Sequence, residues 1–428
     1  MKKTNLMIFV SFFVAQNYLF GQCLTTTQID YSPPTIIGDS AYFFKFDQFG
    51  GDGFQLWKSN ADLQNQVFVK ALGGGDNGHG NPDLLTQVNN QLFFVSGYNV
   101  GTNFGTGLFK SDGTKSNTIL VKKLHLSWSN LFNVNGTLFF LHNDGIHGIE
   151  LWKSDGTETG TVLVKDISTG STSSFSSSSN PKFTNANGIL FFVVDDGING
   201  SELWKSDGTD AGTVLVKNIN AGSVSSHPNH LKYINGIVYF SAVDGTNGNE
   251  LWRSDGTSAG TYLLQDINPG AASSNPFYFE AYSNQLVFFA SSGLYKSDGT
   301  SSGTTLISST VNHELDDSPI KFIDYNGSLY FSGYTPGLGS ELWKTNGTSA
   351  GTVLVKDIIA GSYGSNPAKL FEFNGLLYFQ FNGYGPLWKS DGTTAGTVLV
   401  HNLSIGQIVK TNNSLFFANS DGVHYHEL

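Results

Sequence analysis

The chain of 428 residues holds 51 Gly, 34 Phe, 17 Tyr and 7 Trp, yet only 13% of it is Asp, Glu, Lys or Arg. Disorder needs few aromatics and much charge, and long helices need Ala, Glu, Lys and Leu, so this composition excludes both and favours short aromatic strands joined by Gly-rich turns. The net charge of −11 includes a single arginine, Arg253, which excludes the clustered guanidinium groups that a nucleic-acid-tracking surface uses.

At the N-terminus, Lys2 and Lys3 precede an apolar run over residues 6–14 and then Phe20-Gly21-Gln22-Cys23. That order predicts a secretory signal peptide over residues 1–21, with residues 22–428 forming one mature domain outside the cytoplasm, secreted or at the cell surface. No later apolar stretch reaches the roughly 20 residues that span a bilayer, so no membrane span is expected. Cys23 is the only cysteine, so an intrachain disulfide is excluded and stability must come from packing.

A repeat then fills the chain. Glu-Leu-Trp-Lys-Ser-Asp-Gly-Thr at residues 150–157 recurs, with small changes, at 202–209, 250–257 and 341–348. Weaker copies extend the series, whose aromatic positions are Trp57, Phe109, Trp152, Trp204, Trp252, Tyr295, Trp343 and Trp388, recurring every 43 to 52 residues. Six of the seven tryptophans hold this one position, and only Trp128 falls elsewhere. Tryptophan content therefore reports architecture rather than a binding site.

One unit, residues 229–267, reads as four strands. The first covers 230–234 and ends at Asn235-Gly236, a hairpin signal; the second covers 238–241, the third 250–254 and the fourth 261–265, and a Gly/Ser/Pro linker follows. Four antiparallel strands in about 45 residues, repeated in series, predict an all-β fold of the β-propeller class with four-stranded blades. The Leu-Trp and Phe-Phe doublets agree, because neighbouring strand residues face opposite sides and two apolar neighbours demand burial on both. Eight units are complete. Residues 407–411, 414–418 and 423–428 supply three strands of a ninth, which a strand at residues 25–30 is expected to complete, covering two sheet edges at once.

The strings at residues 150–167, Glu-Leu-Trp-Lys-Ser-Asp-Gly-Thr followed by Gly-Thr-Val-Leu-Val-Lys-Asp-Ile, resemble the ELWxxDGT repeat proteins of Bacteroidetes-type bacteria, sometimes labelled hyalin-like. The layout is also similar to TolB-like propeller repeats. The resemblance implies a secreted or surface-associated protein of a family whose biochemical role is mostly undefined; a monomer is expected.

Chemical motifs are sparse. Gly-x-Ser-x-Gly occurs at residues 256–260 but in a predicted hairpin, where no nucleophile elbow forms, and other copies replace the Ser with Glu158, Asp210 or Thr394. Asp155, Asp207, Asp255, Asp298 and Asp391 are expected to form Asx-turns, with Asn60 and Asn346 doing the same work in two units. No residue is assigned a catalytic role, and no zinc, phosphate or dinucleotide motif is present.

The loop between the second and third strands is the richer candidate. It brings Asp144 with Glu150, Asp196 with Glu202, and Asp244 with Glu250, oxygen ligands that suit Ca²⁺ in type though each loop offers too few. Without Ca²⁺ no cofactor is expected. These six residues are the expected binding rim, shared with the interblade linkers. The function expected is a noncatalytic binding or adhesion module for an extracellular glycan or protein. The alternatives are a polysaccharide-acting hydrolase, for which Glu314, Asp316 and Asp317 are the carboxylates that break the repeat, and a purely structural surface protein.

Overall fold

Large apolar side chains on both faces of a strand call for a sheet on either side, and within each part of the chain successive sheets pack face to face. The computed structural model describes residues 8–9, 23–24, 35–47, 53–60, 65–72, 83–100, 103–124, 130–176, 181–291, 293–313, 322–402, 405–410 and 415–419. Among the described residues there is no helix, and eight four-stranded antiparallel sheets follow one another with their strands in sequence order. We number these blades one to eight.

The fourth blade shows the plan. Its strands are Thr184–Ala186, Ile189–Asp195, Ser201–Ser206 and Val214–Lys217. Asn187 and Gly188 join the first two with φ of 53° and 94°, the pair of positive angles that a tight hairpin requires. A register shift at Leu203/Trp204 marks a bulge between the third and fourth strands, repeated at Leu151/Trp152, Leu251/Trp252 and Leu342/Trp343. The bulge turns the strand locally and seats the tryptophan ring.

The chain divides into two compact units, residues 28–228 and residues 229–428 together with 1–27. In the first unit, the third blade sends Phe140 and Trp152 into a core with Phe93, Val95 and Leu108 of the second. Its Phe139, Leu141 and Leu151 enter another core with Leu190, Phe192 and Trp204 of the fourth. Both doublets, Phe139-Phe140 and Leu151-Trp152, are buried on both sides. The second unit repeats the pattern, with blade five packed on six, six on seven and seven on eight.

Polar joints connect successive blades at the same level. Lys344 Nζ donates to Gly392 O (2.9 Å) and Arg253 Nη1 to Gly299 O (2.7 Å), each reaching the Asp-Gly turn of the next blade. Lys122 Nζ donates to Thr161 O at 2.9 Å. The lone arginine thus does what lysine does in other copies.

After the eighth blade, Ile405–Lys410 pairs with Leu415–Asn419 as a two-stranded sheet. The expected third strand at 423–428 and the N-terminal strand at 25–30 lie outside the described residues, as does the signal-peptide segment except for Ile8–Phe9, which pairs with Cys23–Leu24.

Candidate functional site

Each blade exposes two sets of loops, and they are built differently. On one rim the Ser-Asp-Gly-Thr turn closes on itself. Asp207 Oδ1 accepts from Thr209 N (2.8 Å) and Thr209 Oγ1 (2.7 Å), Gly212 N donates to Thr209 Oγ1 (2.9 Å), and Thr213 Oγ1 donates to Thr209 O (2.6 Å). Ser206 Oγ and Thr213 Oγ1 lie 2.7 Å apart and lock the ends of the turn together. The expected Asx-turns are present at Asp155, Asp207, Asp255, Asp298 and Asp391, and Asn346 makes the same bonds to Thr348, whereas Asn60 Oδ1 makes no such bond and the residues that follow it lie outside the described ones. The threonine hydroxyl, then its backbone N–H, holds the Asp207 carboxyl below its ordinary pKa, and Asp155, Asp255, Asp298 and Asp391 follow suit.

This turn also explains the Gly-x-Ser-x-Gly pattern. A Cβ on Gly260 would stand 2.1 Å from the Asp255 carboxylate, and a Cβ on Gly212 as close to that of Asp207. The second glycine exists because an acid lies flat against it. Ser258 is exposed in a hairpin turn and no elbow is formed.

The opposite ends of blades three, four and five carry the six residues expected to bind a ligand, two in each blade, and they divide into two groups. Asp144, Asp196 and Asp244 cap their own loops. Asp144 Oδ1 accepts from Ile146 N and His147 N at 2.9 and 2.8 Å, and its Oδ2 lies 2.7 Å from His147 Nδ1. Asn199 and Asn247 take the place of His147 beside Asp196 and Asp244, each at 2.7 Å. Burial alone would raise the Asp144 pKa, but the bonds from the His147 backbone and ring and from Ile146 outweigh it and lower it to about 2.

Glu150, Glu202 and Glu250 are fully buried and present no oxygen to a ligand. They face inward because each carboxylate clamps the chain that leads to the next blade. Glu202 accepts from Ile219 N (3.1 Å), Ser226 N (3.0 Å) and Ser226 Oγ (2.5 Å). Glu250 does the same with Ile267 N (2.9 Å) and with Ser274 N and Oγ (2.6 and 2.5 Å), and Glu150 with Ile167 and Ser174. Glu341, not singled out in the sequence, clamps Ile358 (3.1 Å) and Ser365 (3.0 and 2.5 Å). Burial pushes the Glu150 carboxyl up to about 7 against the pull of its donors, and raises the other three.

Sequence reasoning paired each Glu with its loop Asp and missed the serine. A signal was present: a Ser stands 24 residues after each of these four glutamates, whereas Gly107, Gly293 and Pro386, which replace Glu in other units, are followed at that distance by Leu131, Asp317 and Lys410. For Ca²⁺ the fit is poor. The cation wants 6 to 8 oxygens, and the Asp and Glu oxygens already accept hydrogen bonds from their own loops and linkers. Among the described residues no group of three or more His, Cys, Asp or Glu side chains is placed to hold a metal ion. Glu314, Asp316 and Asp317 lie outside the described residues.

What this rim does offer solvent are the residues between the anchors. Ile146 and Ile198, at the tips of the Asp-Gly loops of blades three and four, are 66% and 73% exposed. Tyr363 and Tyr384, in the linker after blade seven and the loop of blade eight, are 88% and 69% exposed.

Neither a protein-family model nor a curated protein matches this sequence. Among solved structures, one described as the eukaryotic initiation factor is 12% identical with a TM-score of 0.50, over 92% of this chain and 90% of that one. Oligopeptidase B from Leishmania major is 10% identical with a TM-score of 0.42, covering 85% of this chain and 53% of its own. A prolyl endopeptidase is 9% identical with a TM-score of 0.42, covering 76% and 49%. The chain spans about half the length of these peptidases. At such identity the likeness is one of fold, and the chain has an all-β fold of the β-propeller class, built of four-stranded blades.

Proposed function

We propose that this chain is an extracytoplasmic, noncatalytic binding module whose linker-side rim recognises a glycan. The observation that carries the reading is the division of labour on that rim. Buried Glu202, Glu250 and Glu341 fix the backbone of the linkers, while the tip residues vary from blade to blade, from small Thr172 and Ala272 to exposed Ile146, Ile198, Tyr363 and Tyr384. A scaffold that holds its loops rigid and frees one position per loop is suited to recognition.

Acid–base hydrolysis of a glycoside needs two carboxylates that reach one bond. The carboxylates that recur on this rim are instead occupied within the fold, each by hydrogen bonds to backbone N–H groups. The signal-peptide pattern at residues 1–21 and the resemblance to ELWxxDGT proteins support a place outside the cytoplasm. The test is to incubate the purified protein with a glycan array and, separately, with chromogenic glycosides. Saturable binding without turnover is expected; release of chromophore would overturn the noncatalytic reading.

A further inference from the structure

We infer that Tyr363 and Tyr384 form an aromatic platform that stacks against the sugar rings of an oligosaccharide. The inference rests on the glycan-binding reading above and assigns its site.

Both rings are held out by backbone that is fixed beneath them. Tyr363 lies two residues before Ser365, which Glu341 clamps through N–H and hydroxyl bonds of 3.0 and 2.5 Å. Its neighbour Gly364 packs so closely on Gly339 and Ser340 that a Cβ there would stand 2.3 Å from Ser340 N. In the equivalent linkers the residue at Tyr363 is Thr172, Val224 or Ala272, so the aromatic ring is not part of the clamp.

Tyr384 sits at the tip of a closed turn. Tyr384 N and Gly385 N both donate to Phe381 O, at 3.1 and 2.7 Å, and Phe381 N returns a bond to Pro386 O at 3.4 Å. The two supports are joined, because Asn382 N donates to Asn366 O at 2.9 Å. Tyr363 is three residues from that bond and Tyr384 two, so each lies within about 11 Å of it along the chain.

Lys369 adds a second observation. Its φ of +51° is shared by Lys182, His230 and Tyr278 at the same place in other blades, at 54°, 57° and 51°, so the backbone there belongs to the repeat and only the side chain is particular to this blade. Its ammonium lies 4.5 Å from the Tyr384 ring centroid, a cation–π contact that orients the ring while leaving it 69% exposed. Two exposed tyrosines with fixed supports, with Ser362, Asn366 and Asn382 close to them in sequence, match the chemistry of a sugar. A pyranose presents a C–H face to an aromatic ring and hydroxyls to the polar groups around it. A protein-docking surface has a continuous apolar core, and the other large apolar side chain exposed on this linker is Ile359, at 39%.

The test uses the full chain and labelled cellopentaose, chitopentaose and laminaripentaose, with affinity read by fluorescence anisotropy. Tyr363→Ala and Tyr384→Ala are each expected to weaken binding of the recognised sugar by about tenfold or more. Tyr363→Phe and Tyr384→Phe should stay close to the parent, and Ile146→Ala and Ile198→Ala, at exposed tips elsewhere, should change nothing. Melting curves of all variants should overlay, since these side chains are largely exposed. Alanine variants that bind as the parent does, or a loss confined to the isoleucine variants, would overturn the platform and leave glycan binding standing. A parent protein silent on all three sugars and on the array overturns both.

Discussion

The two rims of a blade solve the same problem over different distances. The Ser-Asp-Gly-Thr turn satisfies its polar groups within eight residues, as between Ser206 and Thr213. The opposite rim uses a carboxylate from the middle of a sheet to hold backbone 17 and 24 residues away, as Glu202 holds Ile219 and Ser226. A self-contained turn fixes its own side chains and gives nearly the same surface in every copy. A clamp acting from below fixes only the backbone, and the residue at the tip is left to vary.

The comparison can be broken in order of expected effect. Removing the layer from which both rims hang comes first: Trp204→Ala empties a position 6% exposed and should cost about 3 to 5 kcal/mol in urea denaturation. An unchanged midpoint would sink the packing role of the repeated aromatic. Next, Glu202→Ala strands the N–H groups of Ile219 and Ser226 in a dry site and should cost about 2 to 4 kcal/mol, against about 1 kcal/mol for Asp207→Ala in its exposed turn. Equal losses at the two positions would erase the distinction drawn between the rims.

The last test is one of pH, and the rims should differ in sign. Glu150 holds its proton up to about 7 when folded, against an ordinary value of 4.5. The folded state therefore binds more protons than the unfolded one between these values, and the stability this group contributes falls as pH rises through them and then levels off. The turn aspartates have lowered pKa values, so their contribution is present above 3.8 and is lost on acidification. Being exposed, they contribute little after screening. The stability of the parent relative to a variant with Glu150, Glu202, Glu250 and Glu341 all changed to Gln should fall as pH rises from 4.5 to 7; a difference independent of pH would show that these carboxyls do not titrate as their burial requires.

Most of the fold was legible because its signals are local. Apolar doublets within strands, Asn-Gly turns and Asp-Gly-Thr turns act over a few residues, and the four-strand reading of residues 229–267 matches Asn229–Ile234, Ile237–Val243, Asn249–Ser254 and Tyr262–Gln265. The rim was less legible. A glutamate beside Leu-Trp reads as a surface charge until its distant donors are known, and only the co-occurrence of Glu with a later Ser inside this one chain betrays the clamp. Tyr363 and Tyr384 were hidden for the opposite reason, since they fall where the repeat says nothing. The joint between blades also went unseen: a Cβ on Gly208 would stand 3.2 Å from Phe139 of the preceding blade, so the Asp-Gly turn serves its neighbour as well as itself.

The reach of the polar joints sets the order in which such a chain can assemble. Lys122 to Thr161 spans 39 residues, Arg253 to Gly299 spans 46 and Lys344 to Gly392 spans 48, each about one repeat. No joint among these waits for a partner several blades away, so loop closure costs stay small. Folding can then advance along the chain like a zipper, each finished blade templating the next as it emerges.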